Sequence, residues 1–385
     1  MSANARPKLL CVVGARPNFM KIAPLMAAFR SGPQPLTATL VHTGQHYDAA
    51  MKTAFFDQLG IPEPDIDLGV GSGSHSQQTA EIMRRFEPVL ESEAPDAVLV
   101  VGDVNSTIAC ALVAAKQGVP VIHVEAGLRS YDRGMPEEIN RVLTDQLSEL
   151  LFLTEAGARD NLRREGIADE RVHFVGNVMI DTLLGHLPRA VPAEQTLERA
   201  GGTGFLQDDR GFGVLTLHRP SNVDEPVVLR RLLGVIRELS TRTPIVFPMH
   251  PRTRARVRDM GLMELLDTPD ILTLEPLGYL ELLGLMSRAR LVLTDSGGLQ
   301  EETTALGVPC ITLRENTERP ITVSQGTNTI VGTDVARIRA VVEETLATGG
   351  KRGRVPELWD GQAAQRIKQV ILDWYARNGG ARAVS

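Results

Sequence analysis

The sequence predicts an α/β fold built from two domains, each with a doubly wound parallel sheet. Short apolar runs alternate with longer amphipathic stretches, and polar residues follow most of the runs. Continuous apolar strands separated by helices are typical of a parallel sheet covered on both faces. A chain of 385 residues is long enough for two domains of about 100–200 residues each.

The apolar runs form two series, separated by residues 186–212, which are rich in Pro, Gly and charge. Strands are predicted at 8–13, 36–43, 96–103, 120–125, 150–154 and 171–176, and then at 213–218, 243–250, 270–276, 289–295 and 308–313. Helices are predicted at 75–93 and 106–118. We therefore expect an N-terminal domain over residues 1–178 and a C-terminal domain over 179–362. A final helix within 363–385 is expected to pack back on the N-terminal domain.

The amino-acid composition restricts the classes of function that the protein could have. The net charge is -6 and no Lys/Arg run is present, which argues against a nucleic-acid partner. The three cysteines, Cys11, Cys110 and Cys310, lie in or beside apolar runs, as is typical of reduced core thiols. With no signal-peptide pattern and no apolar run of about 20 residues, we expect a cytoplasmic protein without a membrane partner.

Polar residues concentrate just after the strands, where open parallel sheets bind their ligands. Examples are GARPNFMK after the first strand, GDVNST and EAGLR further on, and TDSGGLQEE in the second half. Polar loops at the same ends of two sheets predict an interdomain cleft that closes on a ligand.

Two strand–loop–helix junctions suit a phosphate. Ser296, Gly297 and Gly298 precede a predicted helix, whose N-terminus favours an anion. Arg16 and Lys21 flank the first junction, and Arg319 follows a second-domain strand; these cations suit a diphosphate. A capped glycine turn and solvated surface cations are the ordinary structural roles for such residues.

Three acids occupy positions suited to proton transfer. Asp103 and Glu125 end apolar strands, and Glu137 opens a predicted helix after Pro136. Acids among apolar neighbours and other acids have raised pKa values and can act as general acids or bases. Helix capping and interaction with the helix dipole are the structural roles that such acids could have instead.

Two histidines, His218 and His250, also end predicted strands. His218 could neutralise or protonate a phosphate oxygen, although a histidine at a strand end is often a structural hydrogen-bonding group. No G-x-G-x-x-G follows the first strand and no metal-ligand spacing is present, so neither a dinucleotide cofactor nor a metal is expected.

Ten ordered motifs resemble the non-hydrolysing UDP-N-acetylglucosamine 2-epimerases along nearly the whole chain. They are GARPNFMKIAPL, TGQHYD, VGDVNST, HVEAGLRS, MPEEINR, GNVMID, LTLHRPSN, FPMHPRT, LTDSGGLQEE and TERP. The resemblance implies two Rossmann-like domains in a glycosyltransferase-B-like arrangement, no cofactor and a homodimer. It also implies inversion of C2 of a UDP-sugar by elimination and re-addition of UDP through a glycal, in the synthesis of bacterial cell-surface polysaccharide precursors.

By motif match, the resemblance makes Asp103, Glu125, Glu137 and His218 catalytic. Which acid removes the C2 proton and which returns one stays open. The positions that hold UDP are then Arg16, Lys21, Ser296, Gly297, Gly298, Glu302 and Arg319, with Glu302 at the ribose.

Some bacterial members are activated by a second substrate molecule bound beside the catalytic site. Gln45, His46 and His250 match that region in this chain. Asp48 stands where such members carry a second glutamine, which weighs against the usual activation.

The sugar stays open between UDP-N-acetylglucosamine and UDP-2,3-diacetamido-2,3-dideoxy-glucuronic acid, a precursor of lipopolysaccharide O-antigen, since the same motifs also resemble epimerases of the latter. Three further functions compete with these two. They are a hydrolysing epimerase, a glycosyltransferase of the same architecture and a non-catalytic UDP-sugar-binding protein.

Overall fold

The computed structural model describes residues 6–32, 35–44, 60–61 and 63–378. The chain divides into two compact units, the first formed by residues 1–185 and 357–385 and the second by residues 186–356. The boundaries between the units fall at 185/186 and 356/357. The sequence predicted domain limits at 178/179 and 362/363.

The first unit contains a seven-stranded, wholly parallel sheet in the order β3-β2-β1-β4-β5-β6-β7. Its strands are β1 (Lys8–Val13), β2 (Thr37–His42), β3 (Ile66–Asp67), β4 (Ala97–Val101), β5 (Val121–Val124), β6 (Leu150–Leu153) and β7 (Val172–Phe174). Its helices are Arg16–Arg30, His75–Glu93, Asn105–Lys116, Pro136–Leu147, Ala158–Arg164, Val178–His186 at the unit boundary, and Ala363–Asn378, with a 3-10 turn at Asp169–Arg171.

The second unit contains a six-stranded parallel sheet in the order β10-β9-β8-β11-β12-β13. Its strands are β8 (Gly213–Thr216), β9 (Ile245–Pro248), β10 (Ile271–Leu274), β11 (Leu291–Thr294), β12 (Cys310–Thr312) and β13 (Asn328–Ile330). Its helices are Ala193–Arg199, Gly204–Gln207, Pro220–Val223, Pro226–Ser240, Pro251–Asp259, Tyr279–Arg288, Gly297–Leu306, Pro320–Ser324 and Val335–Thr348, with 3-10 turns at Leu187–Arg189 and Met263–Leu265.

The predicted fold class is confirmed, because both sheets are parallel and doubly wound. The helix His75–Glu93 agrees residue for residue with its prediction, while the strands β4 and β5 end before the polar residues that close their predicted ranges. Strands β3 and β13 were not predicted. Both are short edge strands, two and three residues long, and neither forms an apolar run that a sequence pattern could reveal.

Burial explains why these segments are strands and helices. Every residue of β4, β5 and β6 is buried, and the second-unit sheet packs its leucine and isoleucine side chains into one continuous core with the helix Pro226–Ser240. The three cysteines are free and buried. Burial raises the pKa of the Cys11 thiol to about 12, so the thiol form is strongly favoured.

Among the described residues, no helix combines the length and the apolar character that crossing a membrane would require.

The C-terminal helix Ala363–Asn378 packs against the helix Arg16–Arg30 within the first unit. Its first turn is capped by Asp181, whose two carboxylate oxygens accept hydrogen bonds from the backbone N–H groups of Ala363 (3.1 Å) and Ala364 (2.7 Å). A side chain 182 residues earlier in the chain therefore fixes where the last helix begins.

Replacing Asp181 by alanine removes both cap hydrogen bonds. We expect Asp181→Ala to lower the free energy of unfolding by about 0.5–2 kcal/mol, the usual loss on removing a helix cap. Urea unfolding followed by circular dichroism measures this. Asp373→Ala, on an exposed position of the same helix, is the matched control; equal destabilisation by the two variants would contradict the capping role.

Candidate active site

In both sheets the strand order reverses at one place, between β1 and β4 in the first unit and between β8 and β11 in the second. The loops that follow the two strands at such a reversal run to opposite sides and leave a crevice at the carboxyl edge of the sheet. Most of the predicted site residues follow these strands or their immediate neighbours.

In the first unit, Glu125 directly follows β5 and forms a buried ion pair with Lys21. The Lys21 Nζ lies 2.7 Å from Glu125 Oε1, and both side chains are almost excluded from solvent. Gly102 permits this approach, because a Cβ at its position would lie only 2.8 Å from Lys21 Nζ. Its φ of +65° is also one that glycine adopts without strain.

Asp103 lies two residues after the end of β4. Strand β4 is the neighbour of β5 in the sheet, with Val101 of β4 paired with Val124 of β5. Asp103 Oδ2 accepts a hydrogen bond from Arg141 Nε at 2.9 Å. Arg141 also forms an ion pair with Glu138, three residues earlier on the same helix. The Asp103 backbone carbonyl accepts a further bond from Asn140 Nδ2 (2.9 Å).

Glu137 is the second residue of the helix Pro136–Leu147, so the predicted helix start is confirmed. The same helix supplies Asn140 and Arg141, which contact Asp103. The three predicted acids therefore belong to elements that meet at one edge of the sheet.

The expectation that these acids are surrounded by apolar neighbours and other acids is wrong for two of them. Glu125 has Lys21 and Asp103 has Arg141 within hydrogen-bonding distance. The physical reason is that a carboxylate removed wholly (Glu125) or largely (Asp103) from solvent needs a paired cation, which comes here from helices distant in sequence.

In the second unit, His218 and Asp295 form a dyad. His218 Nδ1 lies 2.9 Å from Asp295 Oδ1, and the fully buried Asp295 also accepts hydrogen bonds from the backbone N–H groups of His218 and Arg219. Burial alone would raise the pKa of Asp295, but the hydrogen bond and charge of His218 and these N–H groups lower it. Asp295 is therefore a carboxylate, Nδ1 of His218 carries a hydrogen, and Nε2 is the ring nitrogen left for another partner.

The glycine loop precedes the helix Gly297–Leu306, with Ser296 at the N-cap and Gly298 as the second helical residue. A Cβ at Gly297 would lie 2.6 Å from Glu318 Oε1, so glycine is needed for this close packing. The backbone N–H groups at a helix N-terminus favour an anion, and the anion site at Ser296, Gly297 and Gly298 stays a prediction.

Arginines surround Glu318 beside this helix N-terminus. Its carboxylate lies 3.0 Å from Arg319 Nη1, 2.9 Å from Arg314 Nη2 and 3.8 Å from Arg219 Nη2. Arg319 also contacts Glu301, with 2.9 Å between Nε and Oε2. These contacts among the described residues bring three guanidinium groups together beside the start of the helix.

Glu302 is buried in the same helix and accepts a hydrogen bond from the hydroxyl of Tyr279 at 3.0 Å. Burial raises the pKa of Glu302 to about 7; the Tyr279 hydrogen bond opposes the rise and the charge of Glu301 adds to it. Glu302 therefore changes its ionisation near neutral pH.

The other predicted residues are placed as follows. Arg16 is the first residue of its helix. His250 caps the helix Pro251–Asp259 through a hydrogen bond from Arg252 N to its Nδ1, and its ring centroid lies 5.9 Å from that of His218. Gln45 and His46 lie outside the described residues.

Sequence reasoning missed Arg141, Asp295 and Tyr279. Arg141 could have been found, since a cation three residues after Glu138 shares its helix face. Asp295 also ends a strand, but its neighbour His218 becomes evident only once β8 and β11 are known to pair. Tyr279 lies 23 residues from Glu302, with no local pattern that joins them.

Within the described part of the chain, no group of three or more His, Cys, Asp or Glu side chains could hold a metal ion. Carboxylates can transfer protons, and histidine and arginine side chains can stabilise a developing negative charge.

Residues 31–372 match the family model of UDP-N-acetylglucosamine 2-epimerases. The chain belongs to this family. The chain is 42% identical to the UDP-N-acetylglucosamine 2-epimerase of Methanococcus maripaludis over 371 residues, covering 95% of this chain and 98% of the relative. It is 41% identical to the UDP-2,3-diacetamido-2,3-dideoxy-D-glucuronate 2-epimerase of Pseudomonas aeruginosa over 369 residues, covering 94% and 99%.

Solved structures of the UDP-N-acetylglucosamine 2-epimerase family have the same fold. The Methanocaldococcus jannaschii enzyme in complex with UDP-GlcNAc and UDP superposes with a TM-score of 0.85 at 41% identity, over 95% of this chain and 99% of that one. The resemblance based on the ten motifs is confirmed. Proteins with these names are isomerases.

The raised pKa of Glu302 predicts a pH-dependent stability. A group with a higher pKa in the folded than in the unfolded state stabilises the protein at low pH, and this contribution is lost as pH rises through the folded value. With an ordinary pKa of 4.5 and a folded one of about 7, the wild type should lose about 2 kcal/mol relative to Glu302→Gln between pH 5 and pH 8.

Urea unfolding of both proteins at the two pH values measures this difference. Glu264→Gln, at an exposed position of the same unit, is the control and should follow the wild type. A pH-independent difference between wild type and Glu302→Gln would contradict the raised pKa.

Proposed function

We propose that this protein is an isomerase that inverts C2 of a UDP-HexNAc sugar, converting UDP-N-acetylglucosamine to UDP-N-acetylmannosamine. The observation that carries the proposal is the placement of Asp103 and Glu125, each paired with a cation, at the ends of two neighbouring strands in a chain of this family.

The chemistry follows from the weak acidity of the C2 hydrogen. A carboxylate removes the C2 proton, the C–H electron pair becomes the C1=C2 double bond, and the C1–O bond breaks with its electrons leaving on UDP. UDP then attacks C1 of the glycal, and a second acid protonates C2 on its opposite face. In this proposal Asp103, Glu125 and Glu137 exchange protons with the sugar, and their order stays open.

The second unit would hold the nucleotide and stabilise the departing UDP. Three features favour a diphosphate: the N-terminus of the helix Gly297–Leu306, the arginines around Glu318, and the Nε2 edge of His218. Ser296, Gly297 and Gly298 would supply the contacts of the glycine loop, and the Glu302 carboxylate would bind the ribose. In the first unit, Arg16 and Lys21 remain proposed diphosphate ligands, although Lys21 is buried against Glu125.

NMR of UDP-N-acetylglucosamine with the purified protein in D₂O tests the proposal. We expect UDP-N-acetylmannosamine with deuterium at C2. Release of free N-acetylmannosamine and UDP would identify a hydrolysing enzyme, and binding without turnover would favour a UDP-sugar-binding protein.

UDP-2,3-diacetamido-2,3-dideoxy-glucuronic acid is the second candidate substrate. The observation that favours it is the Pseudomonas aeruginosa relative, which is about as similar to this chain as the Methanococcus maripaludis one (41% against 42%). Measuring kcat/KM for both sugars decides between them, because the substrate for which the site is built should give the higher value.

Removing either strand-end carboxylate should stop proton transfer. We expect Glu125→Gln and Asp103→Asn each to lower kcat by about a hundredfold or more, because a positioned general acid or base contributes about 10²–10⁴ in rate. Glu170→Gln, at an exposed position of the same unit, should keep full activity. Unchanged turnover in either site variant would remove that acid from the mechanism.

His218→Ala should lower turnover more than about a hundredfold, because a lost donor to developing negative charge costs about 10²–10³. Steady-state kinetics measure this, with His173→Gln on the edge strand β7 as a control expected to keep wild-type turnover. Turnover of His218→Ala at the control's level would exclude His218 from catalysis.

We also propose a homodimer, on the strength of the family resemblance, and a reducing cytoplasmic location, which the three free, buried cysteines favour. Sedimentation velocity of the full chain tests the dimer.

A further inference from the structure

A buried network of charged groups lies beneath the two strands that carry Asp103 and Glu125. His123 and Asp145 are both completely buried. His123 Nδ1 lies 2.7 Å from Asp145 Oδ1, and its Nε2 lies 2.8 Å from the backbone carbonyl oxygen of Gly102. Both ring nitrogens of His123 are therefore engaged.

The partners of His123 define the direction of its hydrogen bonds. A carbonyl oxygen only accepts hydrogen bonds, so Nε2 carries a hydrogen. Burial opposes the ionisation of Asp145, but the hydrogen bonds and charges of His123 and Arg129 hold the pKa of Asp145 below its usual value. A carboxylate also only accepts, so Nδ1 of His123 faces Asp145 as the donor, just as Nε2 faces the Gly102 carbonyl oxygen.

The second oxygen of Asp145 binds the loop on the far side of Glu125. Asp145 Oδ2 accepts hydrogen bonds from the backbone N–H of Gly127 at 3.1 Å and from Arg129 Nη2 at 2.7 Å. Arg129 is held in turn by Glu165, with Nε 2.8 Å from Oε1. We call Asp145 and its three partners His123, Gly127 and Arg129 the Asp145 clamp.

Glu125 lies midway between the two backbone points that the clamp holds. His123 is two residues before it and Gly127 two residues after it. Glu125 has φ +74°, in the left-handed region that a side chain with a Cβ rarely adopts. Such strain persists only where surrounding contacts over-determine the conformation, and it is typical of functional sites.

We propose that Asp145 is a positioning residue, which acts through His123 and Gly127 to hold Glu125 in its strained backbone conformation. Through His123 and Gly102 the same carboxylate also positions the turn that leads into Asp103. The inference rests on the proposed function, because it takes Glu125 and Asp103 to be the groups that exchange protons with the substrate.

Buried ionic networks add little net stability, since desolvation offsets their attraction. Their contribution here is geometric. A catalytic group displaced by about 1 Å can lose about a hundredfold in rate, so loosening the clamp should affect turnover far more than substrate binding.

The kinetic test compares two substitutions at one position. Asp145→Asn can keep all of the clamp's hydrogen bonds, with its oxygen accepting from Gly127 and Arg129 and its amide donating to Nδ1 of His123. Asp145→Ala removes them. We expect kcat to fall less than about tenfold for the asparagine variant and about a hundredfold for the alanine variant, both with unchanged KM. Asp160→Ala, an exposed acid of the same unit, is the control.

A double-mutant cycle of unfolding stability, with substitutions at Glu125 and Asp145, tests the clamp without any activity assay. With the clamp intact, Glu125→Gly should unfold at a higher urea concentration than Glu125→Ala, because glycine accepts the positive φ. In the Asp145→Ala background the order should reverse, because a relaxed loop leaves only the entropic cost of glycine. An unchanged order would overturn the inference, even if the protein proved to have another activity.

A third measurement uses the wild-type protein and therefore does not depend on a variant folding. Nitrogen-15 NMR of the histidine rings, with His123→Gln to assign the signal, should show a hydrogen on Nε2 of His123, the nitrogen that faces the Gly102 carbonyl oxygen. An Nε2 without a hydrogen would overturn the inference. If the wild type inverts no UDP-sugar but the cycle and the NMR result hold, the proposed function fails and the clamp stands.

Discussion

The arrangement of the first-unit site depends on the ion pair between Lys21 and Glu125. The pair is almost excluded from solvent and has 2.7 Å between its charged atoms. Removing one partner of such a pair leaves the other charge buried and uncompensated, which typically costs about 3–5 kcal/mol. This pairing fixes the Lys21 helix against the end of β5, requires glycine at 102 and sets the direction in which the Glu125 carboxylate points.

The second unit also has a buried acid at the end of a strand, with different residues around it. Asp295 ends β11, is fully buried and is satisfied by His218 and by backbone N–H groups of the neighbouring loop. In both units an acid at the end of a buried strand is held by a side chain from another element, a lysine in the first unit and a histidine in the second. In the proposed mechanism, the first unit's pair exchanges a proton, whereas the second unit's pair orients a histidine toward phosphate.

The sequence predicted the sheets well because buried strands are continuous apolar runs. It missed β3 and β13, since a short edge strand buries too little surface to need such a run. The helix beginning at Pro136 was predicted correctly from local signals. The cationic partners of the acids were not predicted, because Lys21 lies 104 residues from Glu125 and only the folded sheet brings them together. Local rules cannot reveal the strain at Glu125 either, because its φ is imposed by the fold.

The proposed elimination breaks the C1–O bond of the UDP-sugar during C2 inversion. It is tested most directly with UDP-N-acetylglucosamine carrying ¹⁸O in the bridge between C1 and the β-phosphorus, incubated with the protein and followed by ³¹P NMR. If UDP leaves and returns, the label spreads from the bridge to the non-bridging oxygens of the β-phosphate. Inversion at C2 with the label retained entirely in the bridge would contradict the elimination mechanism.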